Sequence, residues 1–406
     1  MPFEWVVALR YLREGRTQTA LILLGIAVGV GVIVFLSALI DGLQTSLIDK
    51  TLGSQPHVVV RPTKEEARPL PREGERGAVT LRLEKPPQRL RSIGQWQQVL
   101  ALISKVPGVV TTSPTVAGAA FVNRGSASKS IALRGIDPAS YARIIRINEK
   151  MIAGRFNIAG TEVAIGKELA EDLGVFVGDK LRVVTAEGRS EVFTLSGIFD
   201  LGNKDVNERW VFVPLRSAQN LLDLVGGVST IEVKIEDIFA AEAVAQAIAD
   251  RTGLTADSWT KINAELMVGL RSQESSKQLI QFFVIVAVAL GIASVLVVAV
   301  VQKSREIGIL KAVGTPTRRI TRIFLIQGGL LGLVGSAIGC AFGTVLAISF
   351  ASLATSPVGS PIFPVELTLR LFLTASAIAT TTGLVAAVVP ARRAARLDPA
   401  MVIRYG

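Results

Sequence analysis

The sequence predicts a membrane α-helical protein with four transmembrane helices. A large α/β extracytoplasmic domain of two subdomains is expected between helices 1 and 2. Three observations predict this. Half of the 406 residues are apolar and only 19% are charged, which is low for a soluble chain. The apolar residues gather into four blocks free of Asp, Glu, Lys and Arg, at 17–40, 278–302, 323–365 and 371–391, instead of recurring at strand or amphipathic-helix spacing. Basic residues flank the blocks: 1–20, 302–322 and 391–406 hold 13 Lys and Arg against 4 Asp and Glu, +9 of the net +11. That is the pattern of cytoplasmic flanks. It does not suit a nucleic-acid surface, where basic residues alternate with stacking aromatics.

Residues 1–16 read as a cytoplasmic interfacial helix and 17–43 as transmembrane helix 1, since a span needs about 20 apolar residues. The first apolar run exceeds the roughly 7–15 residues of a cleaved leader, and no small-residue cleavage site follows it, so it is expected to remain. Residues 44–276 form the extracytoplasmic domain. His57-Val58-Val59-Val60 begins it as a strand, and 62–91, rich in proline and charge, reads as a loop or hairpin. A helix over 92–106 and a strand over 109–112 follow. The far end repeats the order, with a strand at 230–235, a helix at 238–251 and a strand at 254–258. Two strand–helix–strand units imply one α/β subdomain built from 44–140 and 215–260. Short strands at 161–165, 180–185, 191–199 and 210–213 make 141–214 a β-rich insert. After Trp259 an amphipathic helix is expected to run into transmembrane helix 2 at 277–302. A cytoplasmic loop at 303–322 leads to helix 3 at 323–353, which closely spaced prolines at 357, 361 and 364 terminate. An outer loop at 354–368, helix 4 at 369–390 and a cytoplasmic tail at 391–406 complete the chain. Both termini are expected inside.

Gly25 and Gly29, Gly328 and Gly332, and Gly335, Gly339 and Gly343 recur at spacings of four. Each set shares one helix face and permits close helix approach in lipid. Intramolecular packing or a dimer seam would both use it.

Several chemistries are excluded. One histidine and one cysteine rule out a two-histidine site, a disulfide framework and a cysteine metal site. His57 reads as structural. The sequence contains no G-x-x-x-x-G-K-[ST] loop, so the chain carries no Walker ATP site. The spans lack the ionisable residues of an ion-coupled carrier, and Asp41 falls at the end of helix 1. Energy must be supplied from elsewhere.

The most informative segment is K-S-R-E-I-G-I-L-K-A-V-G at 303–314. Ile307, Leu310 and Val313 form an apolar face on a short helix with charges around it. Such a helix could dock in a partner's groove or lie on anionic headgroups. This segment resembles the R-E-I-G-x-L-[RK]-A-x-G signature of FtsX-like and MacB-type (type VII) ABC transporter permeases. The resemblance continues through F-L-I-Q-G-G-L-L-G at 324–332 and the tail P-A-R-R-A-A-R-L-D-P-A-M-V-I-R-Y-G at 390–406. A-L-R-Y at 8–11 resembles the family's start. L-G-S-Q-P-H-V-V-V at 52–60, the 166–173 segment, Gly178-Asp179-Lys180, and Trp259 with Asn263 resemble the lipoprotein-releasing (Lol-type) branch.

The resemblance implies a non-catalytic permease in a bacterial inner membrane, with its large domain periplasmic. ATP and Mg would be bound by a separate ABC ATPase subunit, and this chain would hold no cofactor of its own. Arg305, Glu306, Ile307, Leu310 and Lys311 would then lie on the helix that couples to the ATPase, with Glu306 in contact. Helices 1 and 2 would act as stalks in mechanotransmission, and a lipoprotein or other amphiphile would enter from the outer leaflet near Phe35, Leu39, Leu43, Met267, Leu270 and Phe282. A second permease copy or paralogue, membrane lipids, and a periplasmic chaperone or membrane-fusion adaptor are the implied partners. Relatives also admit signalling to a periplasmic cell-wall hydrolase, or drug, peptide or glycolipid export.

Overall fold

A computed structural model describes residues 3–63, 91–125, 127–353 and 364–397. The loop expected at 62–91, the outer loop at 354–368 and the tail beyond 397 fall mostly outside these residues. The chain begins with α1 (Phe3–Glu14) and α2 (Arg16–Ser54). There follow β1 (Val58–Arg61), α3 (Trp96–Ile103), β2 (Val109–Arg124), β3 (Ala127–Ile136), α4 (Pro138–Ile144), β4 (Met151–Gly154), β5 (Glu162–Gly166) and α5 (Lys167–Leu173). Next come β6 (Lys180–Thr185), β7 (Ser190–Phe199), α6 (Lys204–Arg209), β8 (Trp210–Pro214), α7 (Leu215–Leu221), β9 (Thr230–Ile235), α8 (Ala241–Thr252) and β10 (Thr255–Ser258). The chain closes with α9 (Trp259–Ile262), α10 (Ala264–Gln302), α11 (Ser304–Ala312), α12 (Thr317–Leu353) and α13 (Leu369–Ala395). Two compact units result, Met1–Leu47 with Val268–Gly406, and Ile48–Met267.

Among the described residues of the first unit, α2, α10, α12 and α13 are long and apolar enough to cross a membrane. The helices overrun the expected spans of 17–43 and 277–302. Both α2 and α10 run for 39 residues, because loss of hydrophobicity marks where lipid ends and not where helical hydrogen bonding ends. Likewise α12 starts before 323, and α13 passes through Pro390 to Ala395.

The glycine stripe of α12 is spent on packing within the chain. Gly328 and Gly332 meet the α13 backbone around Gly383 and Ala379, while Gly335, Gly339 and Gly343 meet Ile26, Val30 and Val34 of α2. A Cβ built on Gly339 would lie 2.7 Å from Val30 Cβ and 2.8 Å from the Ala27 carbonyl oxygen. Helices α2 and α10 run antiparallel and carry three polar rungs. Gln18 Nε2 donates to Gln302 Oε1 at 2.8 Å, the Gln281 amide donates to Ser37 Oγ at 2.9 Å, and Lys277 pairs with Asp41 at 2.8 Å. Asp41 is thus one half of an interhelical ion pair.

Among the described residues of the second unit ten strands form one sheet, with the path β10-β1-β9-β2-β3-β8-β5-β7-β4 and β6 joining β2 to β7. Strand β9 is antiparallel to both β1 and β2, so β1-α3-β2 is a parallel crossover, and β9-α8-β10 interleaves with it. The order β10-β1-β9-β2 is that of a split βαβ pair, with everything from β3 to α7 inserted between its halves.

The two subdomains expected from the sequence share one continuous sheet. Strand β2 does not stop at 112 but continues to Arg124, turns at Gly125 (φ +58°) and returns as β3, which pairs in parallel with β8. That long hairpin carries the sheet into the insert without a break. Two cores then form on opposite faces of shared strands, because alternate side chains of a strand point opposite ways. Val211 and Val213 of β8 and Val163 and Ile165 of β5 enter the larger core with Leu133, Phe193 and Ile248. Phe212 and Ala164, between them in sequence, enter the smaller one with Tyr141, Ile145 and Phe199.

The sheet buries one ion pair, Arg134 with Glu232, and the Arg134 guanidinium stacks 4.1 Å above the Trp210 ring. Burial pushes the Glu232 carboxyl up, and Arg134 opposes that shift. His57 is buried at the start of β1, its Nδ1 within hydrogen-bond reach of the Ile235 backbone, and desolvation lowers its pKa.

Candidate coupling site

The segment 303–314 folds as α11 between two membrane-length helices. Its end follows from sequence: Gly314 takes φ +95°, the Thr315 amide donates to the Leu310 carbonyl, and the Gly314 amide donates to the Lys311 carbonyl. This is a Schellman cap, in which a left-handed glycine closes the last turn. Pro316 then separates α11 from α12.

Lys303, at the junction of α10 and α11, fastens three helices. Its Nζ lies 2.6 Å from Glu14 of α1 and 2.7 Å from Glu306 of α11, and 5.6 Å from the Tyr11 ring centroid. Hydrogen bonds from Lys303 and Arg10 hold the Glu14 carboxyl down to about 2, and the same acidic partners raise Lys303. Burial, then the charge of Glu306, pushes Tyr11 up to about 12.

The opposite end of α11 is fastened too. Lys311 Nζ donates to the carbonyls of Ala395 (3.1 Å) and Leu397 (2.6 Å), satisfying acceptors at the C-terminus of α13, where a cation also suits the helix dipole. Ile307 is 1% exposed and packs with Val300 of α10, Ile320 and Phe324 of α12, and Ala391 and Ala394 of α13. Helix α11 is therefore clamped onto the ends of α1, α10, α12 and α13.

This placement revises the apolar face read from the sequence. Ile307 is turned inward against the chain's own helices, and Leu310 is half-buried. The outward face consists of Arg305, Glu306, Ile309 (49% exposed), Ala312 and Val313 (83% exposed). Glu306 is held in an intramolecular ion pair while remaining on that face. Sequence reasoning missed Ile309 because Ile307/Leu310 and Ile309/Val313 both have helical spacing, and nothing local decides which stripe the bundle takes. Lys303 could have been found from its i, i+3 relation to Glu306.

The six residues expected near a substrate cavity are placed differently from one another. Phe35 is half-buried and engaged edge-on with Phe350 of α12 at 5.8 Å. Leu39 and Leu43 are half-buried. Leu270 is buried, with its carbonyl accepting from Gln44 at 3.5 Å. Phe282 is exposed and paired with Phe283, and Met267 packs on the core of the second unit. A groove of about 390 Å³ along α2 and α10 is lined by residues such as Gly25, Gly29, Val284, Val288 and Gly291.

Membrane-length helices, an α/β domain and a helix clamped across the bundle ends suit a permease subunit, and comparison with known proteins assigns the chain to that class. Residues 19–251 match the MacB-like periplasmic core domain, and residues 279–399 match the FtsX-like permease C-terminal domain. The lipoprotein-releasing system transmembrane protein LolC of Xylella fastidiosa is 26% identical, covering 100% of this chain and 99% of that protein. LolC of Neisseria meningitidis serogroup B is 24% identical over 98% of each chain. The macrolide export ATP-binding/permease protein MacB of an Azoarcus species is 26% identical over 98% of this chain but only 58% of its own length. The chain belongs to the MacB-type family of ABC transporter permeases with an FtsX-like C-terminal domain. It is an inner-membrane protein with a periplasmic domain.

Proposed function

We propose that this permease converts ATP hydrolysis on a separate ATPase subunit into release of a lipid-anchored protein from the outer leaflet of the inner membrane. The observation that carries the reading is the clamping of α11: through Lys303, Ile307 and Lys311 it is tied to α1, α10, α12 and α13 at once. Force applied to its outward face by an ATPase cannot be absorbed locally and passes into the helices. Ile309, Val313 and Arg305 form the docking face, and ATP with Mg²⁺ would be held by the partner, since this sequence has no phosphate-binding loop. In this reading both termini lie in the cytoplasm, the orientation that the basic flanks favour.

Helices α2 and α10, each about 58 Å long at 1.5 Å per residue, then serve as stalks. Two relatives are named for lipoprotein release over nearly their full lengths, which favours that substrate class and a separate ATPase over the fused exporter arrangement. A second permease copy or paralogue completes the transporter, and a periplasmic chaperone takes up the product. The reading is tested by purifying the chain with its ATPase and identifying the periplasmic protein that co-purifies. A lipoprotein carrier supports it. A cell-wall hydrolase or a membrane-fusion adaptor would replace lipoprotein release by signalling or drug export.

A further inference from the structure

A groove of about 460 Å³ lies on α1, α12 and α13, with walls that include Trp5, Ile326, Leu330, Leu333 and Leu384. Its lining is apolar apart from Arg322 and Thr380. Arg322 is exposed, and no acidic side chain pairs with it among the described residues; the neighbouring Arg319 is instead 3.8 Å from Glu4. Arg318, a turn before Arg322, is also exposed. The groove therefore has a cation at one end and hydrocarbon along the rest.

Its length is informative. Along α12 the lining runs from Arg322 to Leu333, about 16 Å at 1.5 Å per residue. That is about half of a 30 Å hydrocarbon core, the depth of one leaflet. Trp5, 42% exposed on α1, is the residue type that settles at the headgroup boundary. A free phosphate would find one arginine and an apolar wall, too little to hold it. An amphiphile with an anionic head and a straight apolar tail matches both parts.

We propose that this groove binds an anionic phospholipid, with the headgroup phosphate on Arg322 and an acyl chain along α12. None of the lining residues belongs to α11, and the site does not depend on which substrate is released. It does rest on α12 and α13 spanning the membrane.

The test uses the full chain in phosphatidylcholine nanodiscs containing a minor fraction of phosphatidylglycerol, with bromine on the acyl chains of one lipid or the other. Trp5 is one of four tryptophans, so its emission is isolated by subtracting a Trp5→Phe variant. Brominated phosphatidylglycerol should quench Trp5 about five-fold more per mole than brominated phosphatidylcholine, the enrichment that one surface arginine gives on anionic lipid. Arg322→Gln should abolish the preference, and Arg322→Lys should keep most of it. Equal quenching by the two lipids in the wild type, or a preference that survives Arg322→Gln, would overturn the proposal. So would the absence of quenching by either lipid, which would mean that protein covers the groove.

Discussion

Ile307 and Ile309 lie two residues apart on α11 and should respond to substitution in opposite ways. Ile307 is 1% exposed in a cluster drawn from four helices, so Ile307→Ala removes a well-packed side chain and should destabilise the membrane unit by about 2–5 kcal/mol. Ile309 is half exposed, so Ile309→Asp should change stability by only about 0.5 kcal/mol. Full burial of an isoleucine contributes about 1.5–3 kcal/mol. Covering the exposed half of Ile309 at a docking face therefore contributes about 1 kcal/mol, and an aspartate placed there adds a desolvation penalty of about 1–3 kcal/mol. ATPase affinity should fall more than ten-fold, since each 1.4 kcal/mol or so is one decade. The assay pairs thermal unfolding in detergent with titration of the ATPase onto the immobilised permease. If Ile309→Asp binds the ATPase like wild type while folded Ile307→Ala does not, the docking face has been assigned to the wrong side of the helix.

Three further outcomes are expected. Gly339→Ala should destabilise the helical unit by about 1–3 kcal/mol through overpacking, because its Cβ would fall 2.8 Å from the Ala27 carbonyl oxygen, whereas Gly25→Ala, with nothing within 4 Å of its Cβ, should be neutral or slightly stabilising; equal melting temperatures would refute the packing. Burial depresses the pKa of His57 in the folded domain, so below the ordinary imidazole pKa of about 6.5 the unfolded chain binds the proton first and stability falls as pH drops. With a single histidine in the chain, His57→Gln should flatten that slope relative to wild type, and parallel pH profiles would exclude the effect. Gly269 has open space around its Cβ, so Gly269→Ala should release substrate normally, while Gly269→Pro, at a helix cost of about 3 kcal/mol, should retain ATPase binding and lose release.

The membrane helices were legible because a chain cannot place Asp, Glu, Lys or Arg in lipid cheaply, so four uncharged blocks stand out whatever the packing. The interleaved strand–helix–strand units were legible from Val58–Arg61 and Thr230–Ile235, whose β-branched runs are bounded by turn residues. The β2–β3 hairpin was not. Ser113-Pro114 and Gly118 interrupt it with residues that elsewhere end strands, yet Pro114 pairs opposite Ile231 in mid-sheet, where tertiary pairing overrides local preference. The same limit applies at the site. The sequence located α11 and its charges, but the choice between Ile307 and Ile309 as the buried side chain is made by Phe324 and Ala394, residues distant in sequence. The pairing of Phe35 with Phe350 was hidden for the same reason.

The most direct measurement is ATP-dependent release from a reconstituted bilayer. The permease and its ATPase are placed in proteoliposomes carrying a triacylated lipoprotein, ATP is added, and the protein that appears in the soluble fraction with a periplasmic carrier is quantified. Release should require ATP, and it should be lost in Ile309→Asp through failed ATPase docking and in Gly269→Pro despite intact docking and hydrolysis. Hydrolysis without release in the wild type would contradict the transport reading, and undiminished release from Gly269→Pro would show that α10 carries no mechanical signal.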